Sequence, residues 1–224
     1  MDPTVFFTQI LMPALWQGLI ITLELVILTA PFGLLLGIGI ALGRQYGGRA
    51  LSSACAGYII FFKGCPLLLL LFMIYFGLPT IGITLPAFTA SVLGFILCNA
   101  AYNSEYIRGA IKSIKDGQMT AAQALGMTKA QAIETIILPQ AMRRALPGLS
   151  NEFIYLIKYS SLAYMITVVE ISGAGKLVAT KYFMYNESFL AVGIVYLALV
   201  TLTTYGVDLL EKRFAIPGMG QKSG

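Results

Sequence analysis

Residues 64–104 contain no Asp, Glu, Lys or Arg. One bilayer crossing takes about 20 predominantly apolar residues, so this run is too long for a single span and suits two. Pro79, Gly82 and Pro86 punctuate it, because proline removes a helical donor and glycine weakens a helix. The sequence predicts one apolar helix over about 51–77 and another over about 87–108. Further spans are read at about 13–43, 146–168 and 188–207. Residues 25–43 and 188–207 are free of charge, whereas 146–168 holds Glu152 and Lys158. Gly33, Gly37, Gly39 and Gly43 supply the small residues that let helix backbones approach closely in lipid.

Composition agrees with a membrane protein. Hydrophobic residues make up 58% and charged residues 11%, against about 45–50% and about 25% in soluble domains. Asp2 is the first charge and no basic n-region precedes the first apolar segment, so that segment is expected to remain as a helix rather than to be cleaved. The net charge of +5 fits basic loops on one side of a membrane, and nucleic acid is not expected as a partner. Cys55, Cys65 and Cys98 form no CxxC pattern and are expected as small buried residues, with neither a disulfide framework nor a zinc site.

Between residues 108 and 144 lie Arg108, Lys112, Lys115, Lys129, Arg143 and Arg144, in a segment rich in Ala, Gln, Ile and Met. This reads as a pair of helices outside the lipid. Five spans with the N-terminus outside put these six residues inside, together with Arg44, Arg49, Lys212, Arg213 and Lys222. Only Lys176 and Lys181 fall outside. That distribution follows the positive-inside rule.

The same segment carries a motif. Thr120-Ala121-Ala122 is followed after three residues by Gly126, and nine residues later by Ile136-Ile137-Leu138-Pro139. This resembles the coupling loop of the permease subunits of ABC importers, E-A-A, three residues, G, nine residues, I-x-L-P. Three further elements resemble those of polar amino-acid permeases: Lys63-Gly64-Cys65-Pro66-Leu67-Leu68, the stretch Tyr102 to Arg108 with Glu105, and Asn151-Glu152-Phe153-Ile154 followed by Lys158-Tyr159-Ser160-Ser161-Leu162. Together they cover roughly residues 15–212. The resemblance implies an all-α, multi-pass, type I ABC importer fold. It would form a single transmembrane domain over 1–224, with a cytoplasmic coupling loop at about 109–145 and a place in the bacterial inner membrane.

In such a loop Gly117, Gln118, Thr120, Ala121, Ala122, Leu125, Gly126 and Pro139 are expected to meet the ATPase subunit. Asp116 is expected to cap the first helix and Thr128 the second, with Gly126 turning the chain and Pro139 ending or bending the second helix. Thr120 stands where the family usually has glutamate, which removes a potential ion pair with the ATPase.

Ionisable residues within spans rarely face lipid. Glu24, Lys63, Glu105, Arg108, Glu152 and Lys158 qualify, and Glu105 and Arg108 are spaced to pair on one helix face. Glu152 can hold a substrate amino group, and Asn151, Ser160 and Ser161 can supply hydrogen bonds. With Lys158, Tyr159, Glu105 and Lys63 they form the candidate substrate pathway. Tyr159 replaces the family's frequent aspartate, which argues against a doubly basic substrate.

The sequence contains no P-loop, so by resemblance ATP and magnesium belong to a separate cytoplasmic subunit. An extracytoplasmic amino-acid-binding protein and a second, identical or related, permease subunit are the other implied partners. The chain itself is expected to be non-catalytic and without cofactor. A self-sufficient secondary transporter is the alternative; such folds usually carry internal repeats and more spans, and no clear repeat is seen.

Overall fold

A proline follows closely after each of the three widened helical turns among the described residues. The computed structural model describes residues 2–214, so Lys222 lies outside the described residues. Among them every regular element is helical. The elements are α1 (Phe6–Tyr46), α2 (Arg49–Gly64), α3 (Leu67–Ile81), α4 (Ala87–Lys112), α5 (Gly117–Ala124), α6 (Lys129–Ile166), α7 (Ile171–Tyr182) and α8 (Tyr185–Phe214). The π-helical turns are Phe6–Leu11, Met73–Gly77 and Ile133–Ile137, and Pro13, Pro79 and Pro139 come just after them. Proline has no N–H and its ring crowds the carbonyl four residues back. A turn widened to i→i+5 absorbs that crowding without breaking the helix.

That device corrects one expectation. Pro139 was expected to end or bend the second helix of the basic segment, and it does not end it. The helix passes through it, and the piece expected as a separate span over 146–168 is the continuation of a single helix that begins at Lys129. The last turns of α6, Ser160–Ile166, tighten to 3-10 geometry, and the chain then breaks at Thr167 (φ 74°). From there α7 departs at 48°.

The span expected over 51–77 is also not straight. The Pro66 ring excludes the helical conformation from Cys65, which is extended at φ −79°, ψ 127°. As a result α2 and α3 meet at 102°. Neither arm alone reaches across about 30 Å of hydrocarbon. Among the described residues two helices, α1 and α8, are long and apolar enough to cross a membrane, or up to four spans if each bent pair counts as one.

The expected span over 87–108 corresponds to α4, which does not join them by composition. Its polar residues Ser91, Asn99, Asn103 and Ser104 are all buried. Sandwiched between α1 and α6, it meets protein rather than lipid on that face. Gly33 and Gly37 make the approach of α1 to α4 possible. A Cβ at Gly37 would stand 2.8 Å from Asn103 Cβ, whereas Gly39 has nothing near it.

Apolar clusters hold the ends together. Leu25, Leu70, Leu71, Phe95, Leu156 and Ile166 form the central one. Phe6, Leu11, Leu15, Ile171, Val178 and Val192 pack the end where α7 and α8 meet α1. Ile107, Ile111, Ile114, Ile137 and Ala141 anchor the α4–α6 hairpin at the opposite end.

Candidate functional site

Glu152 is 4% exposed and lies on the face of α6 turned to α4. Its Oε1 accepts hydrogen bonds from Asn99 Nδ2 (3.3 Å) and the Tyr159 hydroxyl (3.3 Å). Asn103 Nδ2 in turn donates to Asn99 Oδ1 at 2.7 Å. The pairs are intelligible from helix geometry: Asn99 and Asn103 are one turn apart on α4, and Glu152 and Tyr159 two turns apart on α6. Gly148 brings the two helices together, since a Cβ there would reach within 2.6 Å of the Tyr106 ring.

The cluster stands between two cavities. One, of about 350 Å³, is bounded by Leu67, Cys98, Tyr102, Glu152, Tyr155 and Tyr159. The other, of about 200 Å³, is bounded by Pro31, Leu34, Asn99, Asn103, Leu149 and Phe153. Asn103 Oδ1 is buried and unpartnered among the described residues. A buried carboxylate whose two hydrogen-bond donors, Asn99 and Tyr159, are both neutral retains affinity for a cation.

Of the eight candidate pathway residues, Glu152 and Tyr159 line one cavity. Lys63 and Lys158 stand over two of its tyrosines, each Nζ 5.1 Å from the ring centre of Tyr102 and Tyr155 respectively. The other four are elsewhere engaged. The Ser160 and Ser161 hydroxyls donate to their own helix, at Ile157 O and Lys158 O. Asn151 is on the exposed face. Glu105 joins α1 to α4: it takes a two-pronged contact from Arg108 at 2.8 Å, and Arg44 Nη1 at 2.8 Å. Glu24 is exposed on α1.

Asn99, Asn103 and the tyrosine wall were not read from sequence, although two asparagines four apart in a charge-free helix were a signal. Glu170 was also missed. It is wholly buried and caps α7 through Ser172 N (2.8 Å) and Gly173 N (2.9 Å), and it accepts the Tyr196 hydroxyl of α8 at 2.7 Å.

At the far end of α6, α5 is a short helix whose turn ends at Gly126 (φ 86°). Leu125 there is 85% exposed. Gln118, Thr120 and Ala121 are exposed, while Ala122 is buried. Thr128 and Gln131 form a reciprocal capping box at the start of α6. Asp116, expected as a cap, is itself helical and makes no capping bond; the Thr120 hydroxyl donates to its carbonyl oxygen instead.

The family model for the inner membrane component of binding-protein-dependent transport systems matches residues 30–216. The chain belongs to this family. As a permease chain it is 41% identical over 208 residues to the probable amino-acid permease protein YxeN of Bacillus subtilis (strain 168), covering 92% of this chain and 93% of that one. It is 41% identical over 197 residues to the probable amino-acid ABC transporter permease protein PatM of Vibrio harveyi, covering 87% and 88%. In three dimensions the permease superposes on a chain from the crystal structure of an amino acid ABC transporter with histidines. The TM-score is 0.83 and the identity 34%, over 90% of this chain and 94% of that one. The all-α type I importer fold read from the sequence is therefore the fold observed.

Proposed function

We propose that this permease is the amino-acid-translocating subunit of an ATP-binding-cassette importer, and that it works as a non-catalytic lever. The observation that carries the mechanical part is the continuity of α6. One helix bears the exposed turn at Leu125–Gly126 at its start and Glu152 about 35 Å further along. A push at the turn is delivered to the carboxylate without passing through a flexible joint.

In this reading the turn with Gly117, Gln118, Thr120, Ala121 and Leu125 docks on a cytoplasmic ATPase subunit, which holds ATP and magnesium. The small side chains of α5 suit a groove, and Leu125 supplies an apolar anchor. Ala122 packs the turn from within, and Pro139, exposed on α6, belongs to the same docking region. Five spans place the N-terminus outside and the C-terminus inside, and the whole chain is one transmembrane domain with its coupling loop at about 109–145. An extracytoplasmic binding protein delivers the amino acid, and a second permease subunit, identical or related, completes the pathway. Glu152 receives the substrate ammonium group in the cavity beside Tyr159.

The test is uptake of labelled amino acids into proteoliposomes holding the whole transporter and its binding protein. Uptake should require ATP inside the compartment that faces the coupling loop, and Glu152→Gln should reduce it at least tenfold with ATP hydrolysis retained. Uptake driven by an ion gradient without ATP would contradict the proposal.

A further inference from the structure

Asn103 and Asn99 form a short chain of amides that ends on Glu152. Asn103 Nδ2 donates to Asn99 Oδ1 (2.7 Å), and Asn99 Nδ2 donates to both Glu152 Oε1 (3.3 Å) and the Tyr159 hydroxyl (3.4 Å). Both amides are buried, Asn99 at 2% and Asn103 at 4% exposed. Each is seated on a glycine of α1. A Cβ at Gly33 would fall on Asn99 Oδ1, and one at Gly37 would stand 2.8 Å from Asn103 Cβ.

The direction of the chain is dictated by its end. A carboxylate only accepts, so Asn99 must turn its NH2 group to Glu152 and its oxygen to Asn103. Asn103 must then give an N–H to that oxygen and turn its own Oδ1 away. Among the described residues that Oδ1 is buried and has no partner. A buried acceptor without a donor is unfavourable. Turning Asn103 over would be worse, since it would set oxygen against oxygen at Asn99. The orphan oxygen is what remains when every other polar atom in the chain is ordered for the carboxylate.

We propose that Asn103 is a positioning residue for the substrate's ammonium group, acting on Glu152 through Asn99. This rests on the reading of Glu152 as the group that receives the ammonium. Asn103 holds Asn99 by its oxygen, which directs both N–H groups of Asn99 at Glu152 and Tyr159. Two amides aligned in series also polarise one another and strengthen the bond to the carboxylate. Without Asn103 Nδ2 the Asn99 amide is held only at its NH2 end, and Glu152 loses its fixed place in the cavity wall.

The test is equilibrium binding to the purified permease–ATPase complex in nanodiscs, with the binding protein left out so that its own affinity does not contribute. The twenty amino acids are screened in labelled form on the wild type, and the tightest is the probe. Asn103→Leu and Asn103→Ala should each weaken its binding about fivefold or more. One keeps the side-chain volume and the other removes it, so equal losses trace to the amide rather than to packing. Asn103→Gln keeps the N–H and should lose less; the cavity of about 200 Å³ that Asn103 bounds gives the longer side chain room. Basal ATP hydrolysis and the melting temperature report whether each complex is folded. In an Asn99→Leu background, Asn103→Leu should weaken binding less than twofold further, because its effect passes through Asn99. Unchanged binding in the folded Asn103 variants, or a loss that adds in full to that of Asn99→Leu, overturns the positioning role and leaves the ammonium site at Glu152 standing. A wild type that binds none of the twenty overturns the site itself.

Discussion

Gly33 of α1 sits directly against the side chain of Asn99 on α4: a Cβ added at Gly33 would fall on Asn99 Oδ1. Asn99 is the residue that holds Glu152, so a glycine on one helix fixes the position of a carboxylate on another. Gly33→Ala must displace Asn99 or separate the helices, and overpacking of that kind costs about 1–3 kcal/mol. We expect amino-acid uptake to fall at least tenfold. Gly39→Ala, on the open side of the same helix, should transport normally. Equal activity of the two variants in the proteoliposome assay would show that the α1–α4 contact does not position the site.

Leu125 presents an apolar side chain to solvent at the tip of the coupling turn, and Gly126 beside it is left-handed at φ 86°. Leu125→Asp puts a charge where an apolar contact with the ATPase is proposed. Transport should drop more than tenfold, and binding-protein stimulation of ATP hydrolysis should be lost, with the folded permease still present. Gly126→Ala imposes a left-handed alanine, which costs about 1–2 kcal/mol. Gly126→Asn, which tolerates that region, should retain more activity than Gly126→Ala.

The carboxylate of Glu170 ties the start of α7 to α8 through Tyr196. Tyr196→Phe removes one charge-assisted bond, worth about 1.5–3 kcal/mol. It should lower the unfolding temperature of the purified permease measurably. Glu170→Ala, which also uncaps α7, should lower it further, and Glu170→Gln should fall between wild type and Glu170→Ala. An unchanged melting curve for Glu170→Ala would contradict the role given to this group.

The legible and illegible parts of the sequence divide along a physical line. Much of what is set by local chemistry could be read in advance, although Asp116, read as a cap, makes no capping bond. The Glu105–Arg108 pair follows from spacing alone, and the turn at Gly126 and the Thr128 cap follow from residue type. What depends on how helices meet could not. Pro139 reads as either an end or a bend of the helix, and only the π turn at Ile133–Ile137 shows that the helix continues. Asn99 gains its meaning only because α1 and α6 cover α4, and Glu170 gains its own only where Tyr196 of α8 meets it. Ser160 and Ser161 were plausible substrate ligands by composition, yet both hydroxyls are taken by the carbonyls of their own helix.

Arg44 and Glu105 are an ion pair of modest strength. Their side chains are 27% and 25% exposed, so solvent screens them and a pair of this kind contributes about 0–1 kcal/mol. A double-mutant cycle with Arg44→Gln and Glu105→Gln, read by thermal unfolding, should give a coupling energy in that range. A coupling well above it would mean that the network carries more of the α1–α4 contact than its exposure allows.

Nitroxide labels at two exposed positions of α6, Ala130 and Asn151, test most directly whether the coupling turn and Glu152 move as one body. A third label at Leu190, exposed on α8, provides the reference. Distances are read by double electron–electron resonance in the complete transporter, without nucleotide and with ATP trapped. A rigid α6 predicts that the 130–151 distance stays the same in the two states while the 130–190 distance changes. A 130–151 distance that changes as much as the 130–190 distance would show that α6 bends between the turn and the carboxylate, and the lever would be contradicted.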